Sequence, residues 1–167
     1  MAIKDPKELF VYLLSSVRQG AEHATSIYQE MSRLAEKPEV KEALEARAFV
    51  SEKVLSTLDE CFKVIDEHPR ELSGRLHDVF VEDFRSELAE IESPEAKLLF
   101  ILAKAHHLNQ LRIGEYVVLI EAADMTGHYG LGLLLASCLA DKMAFVERTR
   151  HLIRNVVQDK IALRWAA

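Results

Sequence analysis

Apolar residues recur every three or four positions along most of the chain, which is the spacing of one face of an α-helix. The first such segment begins after Asp5 and Pro6: an Asp side chain accepts from an amide of the first turn, and Pro has no amide to leave unpaired there. The pattern predicts a helix over 6–36. A second segment over 38–67 also opens on a proline, and we expect the two helices to form an antiparallel hairpin.

The second half of the chain shows the same periodicity in three further segments. A short amphipathic helix is predicted over 76–91, and a longer one over about 94–124 follows the capping residue Ser93. Two glycines at 127 and 130 form the next turn, and the last helix is predicted over about 131–163. No stretch alternates with the period of a strand, so the sequence predicts an all-α fold.

The lengths of these segments predict how the helices connect. The four long helices hold roughly 30 residues each, or about 45 Å at 1.5 Å per residue, as in a four-helix bundle. Residues 68–93 can span roughly that distance, so they can cross the full length of the bundle. Such a crossover makes the second and fourth helices parallel, as in ferritin-like bundles. We therefore expect residues 1–167 to form one ferritin-like bundle with a long crossover carrying a short extra helix.

Composition narrows the function classes. The 167 residues carry a formal charge of −6, which argues against nucleic-acid binding because phosphate contacts need clustered Lys and Arg. Cys61 and Cys138 have no metal-type spacing and are typical of a reducing compartment, so we expect a cytoplasmic protein. Neither a signal peptide nor an uninterrupted apolar run of about 18 residues is present, so we expect no membrane span.

Acidic residues on the apolar faces are the candidates for chemistry. Ferritin-like dimetal proteins use Glu-x-x-His pairs, yet none of the seven histidines here has an acidic residue three positions earlier. Asp124 with His128, and Glu147 with His151, have the wider i to i+4 spacing of exposed helix pairs. Four carboxylates that interrupt or border apolar stripes remain as candidate metal ligands. They are Glu22, Glu52, Glu115 and Asp141.

Positive charge is concentrated toward the C-terminal end. From Lys142 onward, the chain contains six Lys or Arg residues and only two acidic residues. This segment is either a docking face for the acidic part of another subunit or a solvated helix whose cations suit its C-terminal end. Trp165 is either a packing anchor or an interface aromatic.

Four segments carry a family resemblance. They are LFVYLLS at 9–15, PEVKEALE at 38–45, RIGEY at 112–116 and LLLASCLADK at 133–142. With the helix order and the crossover, they make the chain similar, over about residues 8–157, to the bacterial ferritin-like stress-response family of the YciE/YciF type. The resemblance implies a ferritin-like fold and a role in stress adaptation.

The resemblance also implies that most metal ligands of the family are replaced. Its second-helix pair falls on Phe49 and Glu52, and acidic positions of its next long helix fall on Asn109 and Arg112. A guanidinium repels a divalent cation, so we expect no metal centre and no metal cofactor. We predict instead that Arg112 pairs with Glu22 or Glu52 across the bundle.

The sequence thus favours a non-catalytic bundle that acts by self-association, most simply as a homodimer, or by binding a protein partner. The alternative is an oxidase or peroxide- or iron-handling protein that holds two iron or manganese ions with a shifted ligand set: Glu22, Glu52, Glu115 and Asp141. A small-molecule carrier with a gap between the second and fourth helices is a third interpretation.

Overall fold

The computed structural model describes residues 3–159, and every regular element within them is a helix. The elements in chain order are α1 (Pro6–Leu34), α2 (Pro38–Val64), α3 (Arg75–Ala89), α4 (Pro94–Gln110), α5 (Ile113–Met125) and α6 (Tyr129–Asp159). The predicted all-α fold is confirmed.

Helix starts follow the predicted capping chemistry. The side chain of Asp5 accepts from the amide of Glu8 at 2.8 Å, and the hydroxyl of Ser93 accepts from the amide of Ala96 at 3.3 Å. A proline occupies the first turn of α1, α2 and α4, where its missing amide leaves no donor unpaired. Local sequence therefore determines where three of the long elements begin.

The two ends of the bundle establish its connectivity. At one end, a cavity is lined by Lys7 of α1, Val64 of α2, Ala123 of α5 and Leu131 of α6. Residues from the α1–α2 turn and the start of α4 line a cavity at the opposite end. Helix α2 therefore runs parallel to α4 and α5, with α3 inside the connecting crossover. The predicted ferritin-like connectivity is confirmed.

The predicted fourth helix is wrong in one respect, because it is two helices. The break falls at Leu111 and Arg112, and Arg112 has a left-handed backbone with φ of 71°. Lys142 of α6 donates its Nζ to the carbonyl oxygens of Asn109 at 3.0 Å and Leu111 at 3.3 Å. An ammonium group placed at the end of α4 satisfies carbonyls that have lost their helical partners and suits the negative end of the helix dipole.

The last helix, α6, begins at Tyr129, two residues before its predicted start. Its predicted end at residue 163 lies outside the described residues, as do Lys160, Arg164 and Trp165.

By length and composition, residues Tyr129–Gln158 of α6 could also cross a membrane, with 33% of the most apolar window buried. Packed core helices meet the same criterion. Here α6 packs its inner face against α2, α4 and α5.

Two hydrophobic clusters fill the bundle on either side of a polar middle. In one cluster, which we term the α4-side cluster, α3 and α4 pack against the second halves of α1 and α6 and against the first half of α2. The other, the α5-side cluster, joins α5 to the opposite halves of the same three helices. Charged and polar side chains therefore lie between two apolar cores.

Candidate functional site

Polar side chains from all six helices or their junctions meet in the middle of the bundle. We term this group the central polar cluster. Its members are Ser16, Arg47, Ser51, His77, Asn109, Arg112, Glu115, Tyr116 and Lys142.

Arg47 anchors the cluster from α2. It is 5% exposed, and its Nε donates to Oδ1 of Asn109 at 3.2 Å while Nη1 donates to the hydroxyl of Ser51 at 3.2 Å. Its guanidinium carbon lies 5.4 Å from the ring centroid of Tyr28 and 5.6 Å from that of Phe145. These aromatic faces favour a cation that has been removed from water.

Asn109 and Lys142 join α4 to α6. The side-chain amide of Asn109 donates to the carbonyl oxygen of Lys142 at 2.7 Å, and Lys142 returns the contact through its Nζ. Burial, together with the nearby charges of Arg47 and Arg112, lowers the pKa of Lys142 to about 7. The two carbonyl oxygens that Lys142 contacts favour the ammonium form and act against this shift.

Arg112 is mostly buried at the break between α4 and α5. Its Nη1 donates to the hydroxyl of Ser16 and, at 2.7 Å, to Oε1 of Glu115, three residues later in the chain. The prediction of a cross-bundle pair with Glu22 or Glu52 is therefore wrong. Because Arg112 has a left-handed backbone, a new helix begins after it. Glu115 lies in the first turn of that helix, and its carboxylate is therefore next to the guanidinium of Arg112.

His77 closes the cluster from α3. It is 2% exposed, and its ring stacks on that of His23 with centroids 5.0 Å apart. Burial lowers the pKa of His77 to about 4, assisted by the neighbouring His23 and Arg112. The imidazole is therefore neutral at physiological pH.

A cavity of about 20 Å³ lies inside the cluster, enough for one water-sized ligand. Its walls include Arg47, Arg112 and Lys142, and no Asp or Glu is among the described residues that line it. Three polar atoms of lining residues are buried without a hydrogen-bond partner: Nε of Arg112, the hydroxyl of Tyr116 and Nδ1 of His77. The arrangement supplies positive charge and donors, so it suits an electron-rich ligand.

The four candidate metal ligands are dispersed. Glu22 is exposed and pairs with Arg18 at 3.3 Å on the surface of α1, and Glu52 is exposed on α2. Glu115 binds Arg112, and Asp141 is half-buried on α6. Across residues 3–159, no group of three or more His, Cys, Asp or Glu side chains has a geometry that could hold a metal.

The inward positions of α2 differ from those that the resemblance indicated. Phe49 is 69% exposed and Glu52 is exposed, whereas Arg47 and Ser51 are buried. The helical phase carried this signal, because Arg47 lies three residues after Leu44 on the stripe that faces the core. Sequence reasoning missed Arg47 because it considered only acidic residues as inward candidates.

The basic C-terminal segment is not one surface. Lys142 is largely buried in the central polar cluster and so does not belong to a docking face. Three other cations of the segment are exposed on α6: Arg148, Arg150 and Arg154.

The two cysteines are buried free thiols. Burial raises the pKa of Cys61 to about 11 and that of Cys138 to about 12. Because the thiolate is the reactive form, neither side chain is a nucleophile at neutral pH.

Comparison with known proteins gives a family and a fold. The profile of the family described as "Domain of unknown function (DUF892)" matches residues 5–162. A search among curated proteins finds no significant match.

Two solved structures resemble the chain along most of its length. The E. coli stress protein YciF is similar with a TM-score of 0.87 at 19% identity, covering 95% of this chain and 100% of that one. A protein described as YcfI, a putative structural protein from Rhodopseudomonas palustris, has a TM-score of 0.83 at 20% identity, covering 89% and 94%.

A third structure, from Xanthomonas campestris, has a TM-score of 0.74 at 17% identity, covering 93% of this chain and 95% of that one. The agreement over nearly whole chains shows a shared helical bundle.

Proposed function

The chain belongs to the DUF892 family, and we propose that it is a non-catalytic bundle of the cytoplasm that acts in stress adaptation by pairing with a second copy of itself. The descriptions of YciF as a stress protein and of the Rhodopseudomonas palustris relative as a putative structural protein support this proposal. Buried free thiols suit the reducing conditions of the cytoplasm.

The observation that carries the proposal is an exposed apolar stripe on α6. Tyr129 is 67% exposed and Leu133 is 73% exposed, although both are large and mainly apolar. Spacing by three and four residues continues the stripe on the same outer face. The exposed apolar members of this α6 outer stripe are Tyr129, Leu133, Ala140, Met143 and Ala144, with the half-buried Ala136 and the exposed Ser137 between them. Contiguous exposed apolar surface of this kind is typical of an interaction site.

The pattern of charge around the stripe favours a second copy of the chain as the occupant. Asp124 lies against Gly132 near the start of α6, whereas the exposed Arg148 follows the apolar stretch. Two antiparallel copies of α6 would bring apolar residues together and place Arg148 of each near Asp124 of the other. A two-fold interface of this kind is self-complementary. The alanines also allow two helices to approach closely.

A single charge in the stripe tests the pairing. We expect Leu133→Glu to raise the dimer dissociation constant by about 100-fold, because an unpaired carboxylate would be buried at the contact. Light scattering coupled to size-exclusion chromatography measures this, and circular dichroism checks that helicity is kept. Val79→Glu on α3 is the matched control, since Val79 is also exposed but lies on a helix of the crossover.

Two results would overturn the self-association proposal. One is a wild-type chain that stays monomeric at high concentration. The other is an equal loss of pairing in the Leu133 and Val79 variants.

We further propose that the bundle holds no metal. The support is chemical: the guanidinium groups of Arg47 and Arg112 line its central cavity beside Lys142, and a divalent cation would be repelled there. Elemental analysis after growth with added iron and manganese tests this, followed by a chelator wash. About two ions per chain would contradict the proposal and return attention to the dispersed carboxylates Glu22, Glu52, Glu115 and Asp141.

A further inference from the structure

The central cavity concentrates positive charge that no lining carboxylate balances. Arg47 comes from α2, Arg112 from the α4–α5 break and Lys142 from α6, and all three line the same small space. Glu115 binds Arg112 through Oε1, and its Oε2 is buried without a partner, but Glu115 is not among the described lining residues. Arg47 is the group that lacks a counter-charge, because its hydrogen bonds go to the uncharged side chains of Asn109 and Ser51. A buried guanidinium without a counter-charge is unfavourable, so the arrangement favours a bound anion.

Unpaired hydrogen-bond donors on the lining residues also favour a bound anion. Tyr116 is 1% exposed and its hydroxyl has no partner, and Nε of Arg112 is also buried without one. Buried donors are nearly always satisfied in native proteins, so an unpaired pair beside one cavity indicates a ligand that accepts from both.

The side chains of Arg112 and His77 pack closely against Gly20 of α1. A methyl group built on it would lie 3.5 Å from Cγ of Arg112 and 3.7 Å from Cε1 of His77.

The size of the cavity restricts the ligand. A volume of about 20 Å³ admits a single water-sized species. Phosphate, sulfate and carboxylate groups have several heavy atoms and do not fit without rearrangement of the walls. A monatomic anion fits, accepts several hydrogen bonds at once and carries the negative charge that a water molecule lacks.

We propose that the cavity bounded by Arg47, Arg112 and Lys142 is a binding site for one halide ion, chloride under cellular conditions. The ion accepts from Nε of Arg112 and the hydroxyl of Tyr116, and it neutralises part of the surrounding charge. Its donors come from the α4–α5 break and from α5, and its charge attracts Arg47 of α2 and the ammonium form of Lys142 of α6 in the same lining, so its effect is to hold the middle of the bundle together. The site is independent of the α6 outer stripe.

The first test locates the ion. Crystals of the full chain grown with sodium bromide are measured at the bromine absorption edge. We expect an anomalous peak inside the cavity. An ordered water molecule there without anomalous signal, or bromide at surface sites alone, overturns the proposal.

The second test measures the linkage to stability. The wild-type chain is melted in mixtures of sodium chloride and sodium gluconate at constant ionic strength. Because the ion binds the folded state, we expect the melting temperature to rise by about 3–5 °C for each tenfold increase in chloride above the dissociation constant. A melting temperature that is independent of chloride contradicts the proposal.

A matched pair of variants assigns the effect to the cavity. Tyr116→Phe removes one donor to the ion and keeps the ring, and we expect it to lose at least half of the chloride-dependent shift. Tyr12→Phe makes the same change at an exposed position of α1, away from both the cavity and the α6 outer stripe, and should keep the whole shift. If both variants respond like the wild type, or both lose the shift equally, chloride acts elsewhere and the proposal fails.

Discussion

The buried imidazole of His77 predicts a specific acid sensitivity of the fold. Its pKa is lowered from 6.5 to about 4, first by burial and then by the charges of His23, Arg112 and Lys142, with Asp78 acting in the opposite direction. The unfolded chain has an ordinary imidazole. Between these two pKa values, the unfolded chain therefore binds a proton that the folded chain excludes.

The sign and size of the effect follow from proton linkage. Because the pKa in the folded state is the lower one, stability is unaffected at pH 7 and decreases as the pH falls from 6.5 toward 4. The full loss is about 3.5 kcal/mol, at about 1.4 kcal/mol for each pH unit between the two values. About 2.5 kcal/mol of it is already lost at about pH 4.5.

The assay compares urea unfolding of the wild type with that of His77→Phe at about pH 7 and about pH 4.5. Carboxylates also titrate in this range, but they do so in both proteins, so the difference in free energy of unfolding isolates His77. We expect this difference to shift by about 2.5 kcal/mol in favour of the variant at the lower pH.

His68→Phe is the control, since His68 is exposed and its replacement should give no such shift. If the difference in free energy of unfolding between the wild type and His77→Phe is the same at both pH values, the assignment of a neutral buried imidazole is refuted.

Three further substitutions test the local arguments by urea unfolding. Gly20→Ala should stabilise the fold by about 0.5–1 kcal/mol, because a methyl group in mid-helix meets Arg112 only at ordinary contact distance; a loss of stability would contradict the stated spacing. Asp5→Ala should remove about 1 kcal/mol with the cap of α1, and no change would show that the cap is dispensable. Asn109→Leu should remove about 3 kcal/mol because it leaves Nε of Arg47 unpaired, and a neutral result would argue against the buried network.

Helix periodicity and length predicted the fold well but not the break before α5. The starts of α1, α2 and α4 carry proline or capping signals, which act within a few residues and are visible in the sequence. The break at Arg112 has no such signal, since apolar spacing continues past it. The carbonyl oxygens of Asn109 and Leu111 at this break accept hydrogen bonds from Lys142, which is distant in sequence. A local pattern contains no information about that contact.

The central polar cluster was predictable only in part. Helical phase places Arg47 on an inward face, so its burial could be found from the sequence. The partner of Arg112 could not, because the prediction assumed an unbroken helix that points the guanidinium across the bundle. Once the chain restarts at Arg112, Glu115 lies in the first turn of the new helix and is the nearer carboxylate.

The division of the interior into two apolar clusters has a consequence for the motions of the native state. Helix α4 packs in one cluster and α5 in the other, whereas α1, α2 and α6 pass through both. Opening of α5 therefore leaves the α4-side cluster packed, and the junction at Arg112 is where such an opening would stop. We expect native-state hydrogen exchange to report α4 and α5 as separate cooperative units with different opening free energies, although they occupy the place of one helix in the bundle.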